Sequence, residues 1–189
     1  DIGVKSSGAY SLAAVSLSEA SGEKSIAVGY SAKAKGEASI SIGKDSKTED
    51  QNAIAIGIDS YAKTMDSIAI GNTAKATGLV STALGARAEA LGTSAVAVGI
   101  NAKAKKDQAT ALGFNAQANE ENSLALGYGA TSSKASGVAL GYLSTADTAA
   151  GVAGYNANTG RSDTYNALSG TALTSTLGAV SVGNSSNTR

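Results

Sequence analysis

The chain has 189 residues, with 15 Lys and Arg balanced by 15 Asp and Glu, 23 Gly, and no Pro, Cys, His or Trp. Balanced charge argues against a nucleic-acid binder that works through net charge. The lack of Cys excludes disulfides and thiolate metal sites, and the lack of His removes Ser-His pairs and the common zinc sites, so neither catalysis nor a cofactor nor a metal is expected. Hydrophobic content is 42%, above the level of disordered chains, but much of it is Ala, which predicts a thin interior. No leader-like segment and no apolar run of about 18 residues occurs. The expectation is a soluble protein, or a fragment whose targeting and anchoring parts lie elsewhere.

Along the chain, Ser11-Leu12-Ala13-Ala14-Val15 introduces a pattern that then repeats without interruption. Gly29, Gly43, Gly57, Gly71, Gly85, Gly99, Gly113, Gly127 and Gly141 each lie 14 residues from the next. Such a fixed period marks a solenoid. Before each Gly, two bulky slots flank a small one. They hold Ile26 and Val28, Ile40 and Ile42, Ile54 and Ile56, Ile68 and Ile70, Thr82 and Leu84. The later copies hold Val96 and Val98, Thr110 and Leu112, Leu124 and Leu126, Val138 and Leu140. The residue between is Ala, or Ser41 in one copy. This period-2 alternation predicts a short strand.

The repeat Gly opens a turn, and Asp45, Asp59, Asn101 or Asn115 two residues later implies a backbone at positive φ. A second strand follows, with Ala on one face (Ala74 and Ala76, for example) and Lys33, Lys47, Lys75, Glu89, Lys103 or Gln117 on the other. A second turn closes the period through Gly22, Gly36, Gly78 or Gly92, or elsewhere Asp50, Lys106 or Glu120. Gly22-Glu23-Lys24-Ser25 lacks the spacing of a phosphate loop and is read as one of these turns.

The predicted fold class is therefore all-β: a parallel β-roll, a solenoid with two strands per 14-residue turn. Rungs about 4.8 Å apart would make a rod roughly 45–50 Å long. Residues 1–142 are assigned to head repeats, 143–178 to an irregular insert or modified last turns, and 179–189 to a final repeat strand and the start of a neck. Gly183 lies 42 residues after Gly141, three periods on.

Strand parity decides the inside. The Lys, Glu and Gln slots of the second strand must face water, so its Ala slots face in. The small slots of the first strand face them, and the large aliphatics point outward. That stripe exceeds the apolar patch a soluble monomer shows, which predicts an obligate closed oligomer. Its shared core would comprise Ile26, Val28, Ile40, Ile42, Ile54, Ile56, Ile68, Ile70, Leu84, Val96, Val98, Leu112, Leu124, Leu126, Val138 and Leu140.

The stretches "SIAVGYSAKAKGEASISIG" (25–43) and "NSLALGYGATSSKASGVALG" (122–141) resemble the head repeats of trimeric autotransporter adhesins, the YadA-like family. The resemblance spans residues 11–142, and "ALTSTLGAVSVGNSSNTR" (172–189) is similar to the passage from head to neck, with Leu173 where family members often carry Trp. It implies a left-handed roll assembled as a homotrimer at the tip of a bacterial surface fibre, with a stalk and an outer-membrane anchor beyond this stretch. It also implies attachment to host extracellular matrix, host cells or other bacteria. Asn122 to Gly127 is similar to an Asn-Ser-Val-Ala-Ile-Gly motif associated with collagen binding in some members. An ice-binding solenoid would need a flat Thr array, whereas Thr73, Thr82, Thr93, Thr110 and Thr131 scatter across slots. A structural segment of a viral or phage fibre would share the repeats, and the neck-like Val180 to Arg189 favours the adhesin.

Two outer columns are candidate ligand sites. Lys33, Lys47, Lys75 and Lys103, with Lys35, Lys63 and Lys105 nearby, form a broken basic stripe. It is either a track for an acidic polymer or matrix protein, or a solvated face that discourages sheet aggregation. Tyr30, Ile58, Ile100, Phe114, Tyr128 and Tyr142 follow the repeat Gly directly. They either pack on a neighbouring subunit or form an aromatic ridge that grips a ligand.

Overall fold

The computed structural model describes residues 3–151, 154–156, 161–163, 165–166, 171–172, 178 and 180–183. Two parallel sheets of 11 strands each run the length of the coil. One is built from three-residue strands such as Ile54–Ile56 and Ile68–Ile70, the other from two-residue strands such as Tyr61–Ala62 and Lys75–Ala76. Every strand pairs with its own counterpart in the next rung. Ile68 sits between Ile54 and Thr82, and Lys75 between Tyr61 and Glu89. Copies of one short sequence stacked in register place like on like, and the alternation of each strand then holds through the whole sheet.

The interior is Ala and Ser. Ala55, Ala69, Ala83 and Ala97 of one sheet and Ala62, Ala76, Ala90 and Ala104 of the other have no exposed surface. Ser enters this core with its hydroxyl turned back on the backbone. Ser25, Ser46 and Ser60 donate to the carbonyls of Gly22, Gly43 and Gly57, three residues before them, at 2.7, 2.9 and 2.9 Å. These turns thus satisfy polar atoms that would otherwise be costly to bury, whereas the hydroxyls of Ser18, Ser81 and Ser132 are buried without a partner among the described residues.

Both turns of a rung share one geometry. Ala74 N–H donates to Gly71 O at 3.2 Å across the first, and Ser81 N–H to Gly78 O at 3.3 Å across the second. Their third residues, Thr73 and Val80, have φ of 54°. Positive φ at that place is the mark of a type II turn. It aims the N–H of Thr73 at Ile58 O, 2.8 Å away in the preceding rung, and that of Val80 at Met65 O, 3.1 Å away. The turns therefore stack as tightly as the strands.

The repeat glycines carry two constraints at once. Gly71 has φ of 136°, and a Cβ there would stand 2.5 Å from Gly85 O in the next rung. Val15 occupies the equivalent place in an early rung at φ 82°.

The regular coil extends past the boundary at residue 142. Thr145–Ala146 pairs with Thr131–Ser132, because the repeat Gly opens a turn and a second strand must follow it to complete the rung. The chain then leaves the coil and returns with Val180 beside Val138 and Ser181 beside Ala139. Thr145 N–H donates to Gly183 O at 2.9 Å. The 42 residues from Gly141 to Gly183 thus advance the first sheet by one rung only. Two antiparallel pairs lie in the excursion: Gly154–Asn156 with Arg161–Asp163, and Tyr165–Asn166 with Thr171–Ala172. Leu173 and residues 184–189 of the neck-like stretch lie outside the described residues.

Candidate functional site

With Ala filling the inside, every side chain able to meet a partner lies on an outer surface. The first sheet turns its aliphatic ladder outward. Ile26, Val28, Ile40, Ile54, Ile56, Ile68, Ile70, Val96, Val98, Leu112, Leu124 and Val138 are half-buried by one another, while Ile42, Leu84, Leu126 and Leu140 are more open, at 38, 44, 38 and 43%. Thr82 and Thr110 interrupt the ladder in the same column. Asn122 to Gly127 follows the common rung plan. Asn122 is a positive-φ turn residue, Ser123 and Ala125 are interior, and Leu124 and Leu126 belong to the aliphatic face.

The second sheet presents a column that runs Lys33, Lys47, Tyr61, Lys75, Glu89, Lys103, Gln117. Its charges are not alike in circumstance. Lys47 contacts the Glu49 carboxylate and lies 5.2 Å from the Tyr61 ring centroid, and Tyr61 donates its hydroxyl to the same carboxylate at 2.7 Å. Hydrogen bonds from Lys47 and then Tyr61 hold the Glu49 carboxyl below its ordinary range. Burial, reinforced by Glu49, pushes the Tyr61 hydroxyl up to about 12. Lys103 lies 3.6 Å from Glu89. Lys33 and Lys75 form no salt bridge among the described residues.

Between this column and the neighbouring turn column runs a groove of about 250 Å³, lined by Thr73, Lys75, Arg87, Glu89, Asn101 and Lys103. Arg87 Nε donates to Asn101 Oδ1 at 2.6 Å, and Asn101 Nδ2 donates to Asn115 Oδ1 at 3.0 Å, one rung after another. Lys75 and Lys103 were legible as candidates from their slot. Arg87, Thr73 and Asn101 were not. The available signal was an Arg in a slot that holds Asp45, Asp59, Asn101 and Asn115 elsewhere.

At the C-terminal end, Phe114, Tyr128 and Tyr142 form one stack. Successive ring centroids are 5.2 Å apart, with interplanar angles of 10° and 17°. The rings cover each other's faces, and at 41, 49 and 66% exposure they offer mainly edges to the outside. Tyr30, 48% exposed, stands apart from this stack, with Lys44, Ile58, Asn72, Ala86 and Ile100 between them in the column.

The sequence model of the YadA head domain repeat matches residues 20–46, 50–74, 65–88, 76–102, 90–116, 104–130 and 118–144. Comparison with curated proteins finds no match. Among solved structures, the chain is similar to the crystal structure of the collagen-binding domain of the Yersinia adhesin YadA. Identity is 24% and the TM-score 0.43, over 100% of this chain and 74% of that one. The repeat matches cover most of the coil and coincide with its rungs, so the chain belongs to the YadA head repeat family.

Proposed function

We propose that this chain is the head of a bacterial surface adhesin. In this reading it works as a homotrimer of left-handed rolls whose aliphatic sheet faces close on one another. The observation that carries the proposal is the uncovered aliphatic ladder, which runs along the first sheet with breaks at Thr82 and Thr110, in a chain of the YadA head repeat family. Burying such side chains is worth about 1.5–3 kcal/mol each when complete, and closed cyclic symmetry is the ordinary way to hide a repeated face. Closure leaves the polar second sheet and its turns outermost, in three identical copies on a rigid rod. Weak sites on it act together, so avidity exceeds single-site affinity. The partners are extracellular matrix proteins, host cells or other bacteria, and the place is the outside of the cell, with the membrane anchor on another part of the polypeptide.

The test is capture on immobilised matrix proteins, collagen among them, comparing the native oligomer with a dissociated variant at equal chain concentration. The oligomer is expected to be retained far more strongly. Equal retention would remove the multivalent mechanism, and no retention on any matrix or cell surface would remove the adhesin reading.

A further inference from the structure

The groove at Thr73, Lys75, Arg87, Glu89, Asn101 and Lys103 brings one guanidinium, two ammonium groups and one carboxylate together from two columns. Elsewhere on the second sheet Lys47 lies beside Glu49. In the groove only Lys103 has such a partner, Glu89 at 3.6 Å. Lys75 has no salt bridge among the described residues, and Arg87 spends one N–H on Asn101, which leaves the paired Nη groups of its guanidinium for a ligand. The two columns are one residue apart across the buried Ala74 and Ala88, and successive rungs are about 4.8 Å apart. The two uncommitted cations therefore stand on neighbouring rungs and face the same space. Arg87 holds this place at φ 58°, a conformation that costs an ordinary side chain about 1–2 kcal/mol and that Asn or Asp adopts more readily.

We infer that this groove binds a glycan residue carrying a single carboxylate, with Arg87 and Lys75 holding the carboxylate and Glu89, Thr73 and Asn101 meeting the hydroxyls. A guanidinium takes a carboxylate through two parallel N–H bonds, and Lys adds a point charge. The lining has no aliphatic or aromatic side chain to seat an apolar group. It has the mixture of donors and acceptors that a polyhydroxylated ring requires: an ammonium, a carboxylate, a hydroxyl and an amide. Glu89 sets the charge density. It accepts from sugar hydroxyls, and it repels a chain with sulfates on every unit. The size, about 250 Å³, suits one sugar rather than a larger organic ligand. The inference rests on the adhesin reading and names one class of ligand for it.

The experiment uses the intact oligomer over surfaces bearing sialyl-lactose, hyaluronan, lactose, heparin and poly-glutamate, with a collagen surface in parallel. Sialyl-lactose and hyaluronan are expected to bind and lactose is not. Arg87→Asn and Lys75→Gln should each weaken binding at least tenfold, whereas Lys5→Gln, in Lys5–Ser6, the first strand of the same sheet, should leave it unchanged. Arg87→Asn places a favoured residue at positive φ, so its melting temperature should stay equal or rise, and lost binding cannot then be lost folding. Glu89→Gln should shift preference toward heparin. Carboxylated-glycan binding that survives Arg87→Asn and Lys75→Gln would overturn the site. Arg87-dependent binding of poly-glutamate in preference to the glycans would overturn the ligand class. Collagen capture without glycan binding would overturn this inference and leave the adhesin reading intact, and failure on every surface would remove that reading itself.

Discussion

Replacing Ile70 with Lys separates a shared core from a merely greasy surface. Ile70 lies midway along the first sheet, between Ile56 and Leu84, with its side chain on the outer face. In a free chain Lys there would keep its ammonium in water, and a substitution on an open face costs within about 0.5 kcal/mol. In a closed trimer three ammonium groups would be forced inward at the same height. Each costs several kcal/mol to desolvate without a partner, and each chain also forfeits about 1.5–3 kcal/mol of apolar burial. Together these approach roughly 15–20 kcal/mol per trimer, enough to abolish assembly. Size-exclusion chromatography with light scattering reads the outcome, with far-UV circular dichroism to follow the strands. The expected result is a native trimer and an Ile70→Lys chain that is monomeric or unfolded, while Lys75→Ala on the opposite sheet stays trimeric. A native chain that is folded and monomeric in dilute solution would refute the reasoning. So would an Ile70→Lys variant that keeps its oligomeric mass.

Three further outcomes follow from the rung geometry. Gly71→Ala meets both a φ of 136° and a carbonyl 2.5 Å from the new Cβ, so it should lower stability by about 2 kcal/mol or more per chain. A thermal melt equal to that of the native protein would contradict the stacking described for Gly71 and Gly85. Val80→Asn relieves a β-branched residue held at φ 54° and should stabilise by about 1 kcal/mol, read as a raised denaturant midpoint with unchanged slope. At alkaline pH, Tyr61 titrates at about 12 in the fold against about 10 when unfolded. The fold thus binds its proton more tightly, and this contribution is full below pH 10 and lost as pH rises toward 12. Glu49 is depressed, so its contribution is present above the ordinary carboxylate range and lost as pH falls through its lowered value. Denaturant titrations of Tyr61→Phe should lack this residue's share of the alkaline slope, and an unchanged slope would deny the Tyr61–Glu49 coupling.

The period and the inside of the roll were legible in the sequence, because an alternating strand has only two faces and Lys33, Lys75 and Lys103 cannot enter a closed interior. Small residues such as Ala69, Ala76 and Ser67 were then left to fill it. The first turn was legible too, since Gly71 with Asp59 or Asn101 names a positive-φ slot. The matching slot in the second turn was hidden. Lys24, Ala38, Val80 and Gln108 share it with Asn52, Asp66, Ser94 and Asn122, and no one side-chain type marks it, because hydrogen bonds between rungs impose the geometry on whatever residue arrives. The last complete rung was placed short, at Tyr142 rather than Ala146, because a glycine marks a turn and says nothing of the strand after it.

Sequence by itself determined the rung: its length, its two strands, its Ala interior and its outward aliphatics, all set by local alternation within 14 residues. Only the tertiary structure decided what the rungs make together. It joined Val138 to Val180 across the excursion, stacked Phe114 on Tyr128 and Tyr142, and gathered Thr73, Lys75, Arg87, Glu89, Asn101 and Lys103 around one groove. The physical reason is that parallel stacking turns a separation of one period along the chain into a neighbour about 4.8 Å away. Side chains with nothing in common as a motif thereby become a single surface.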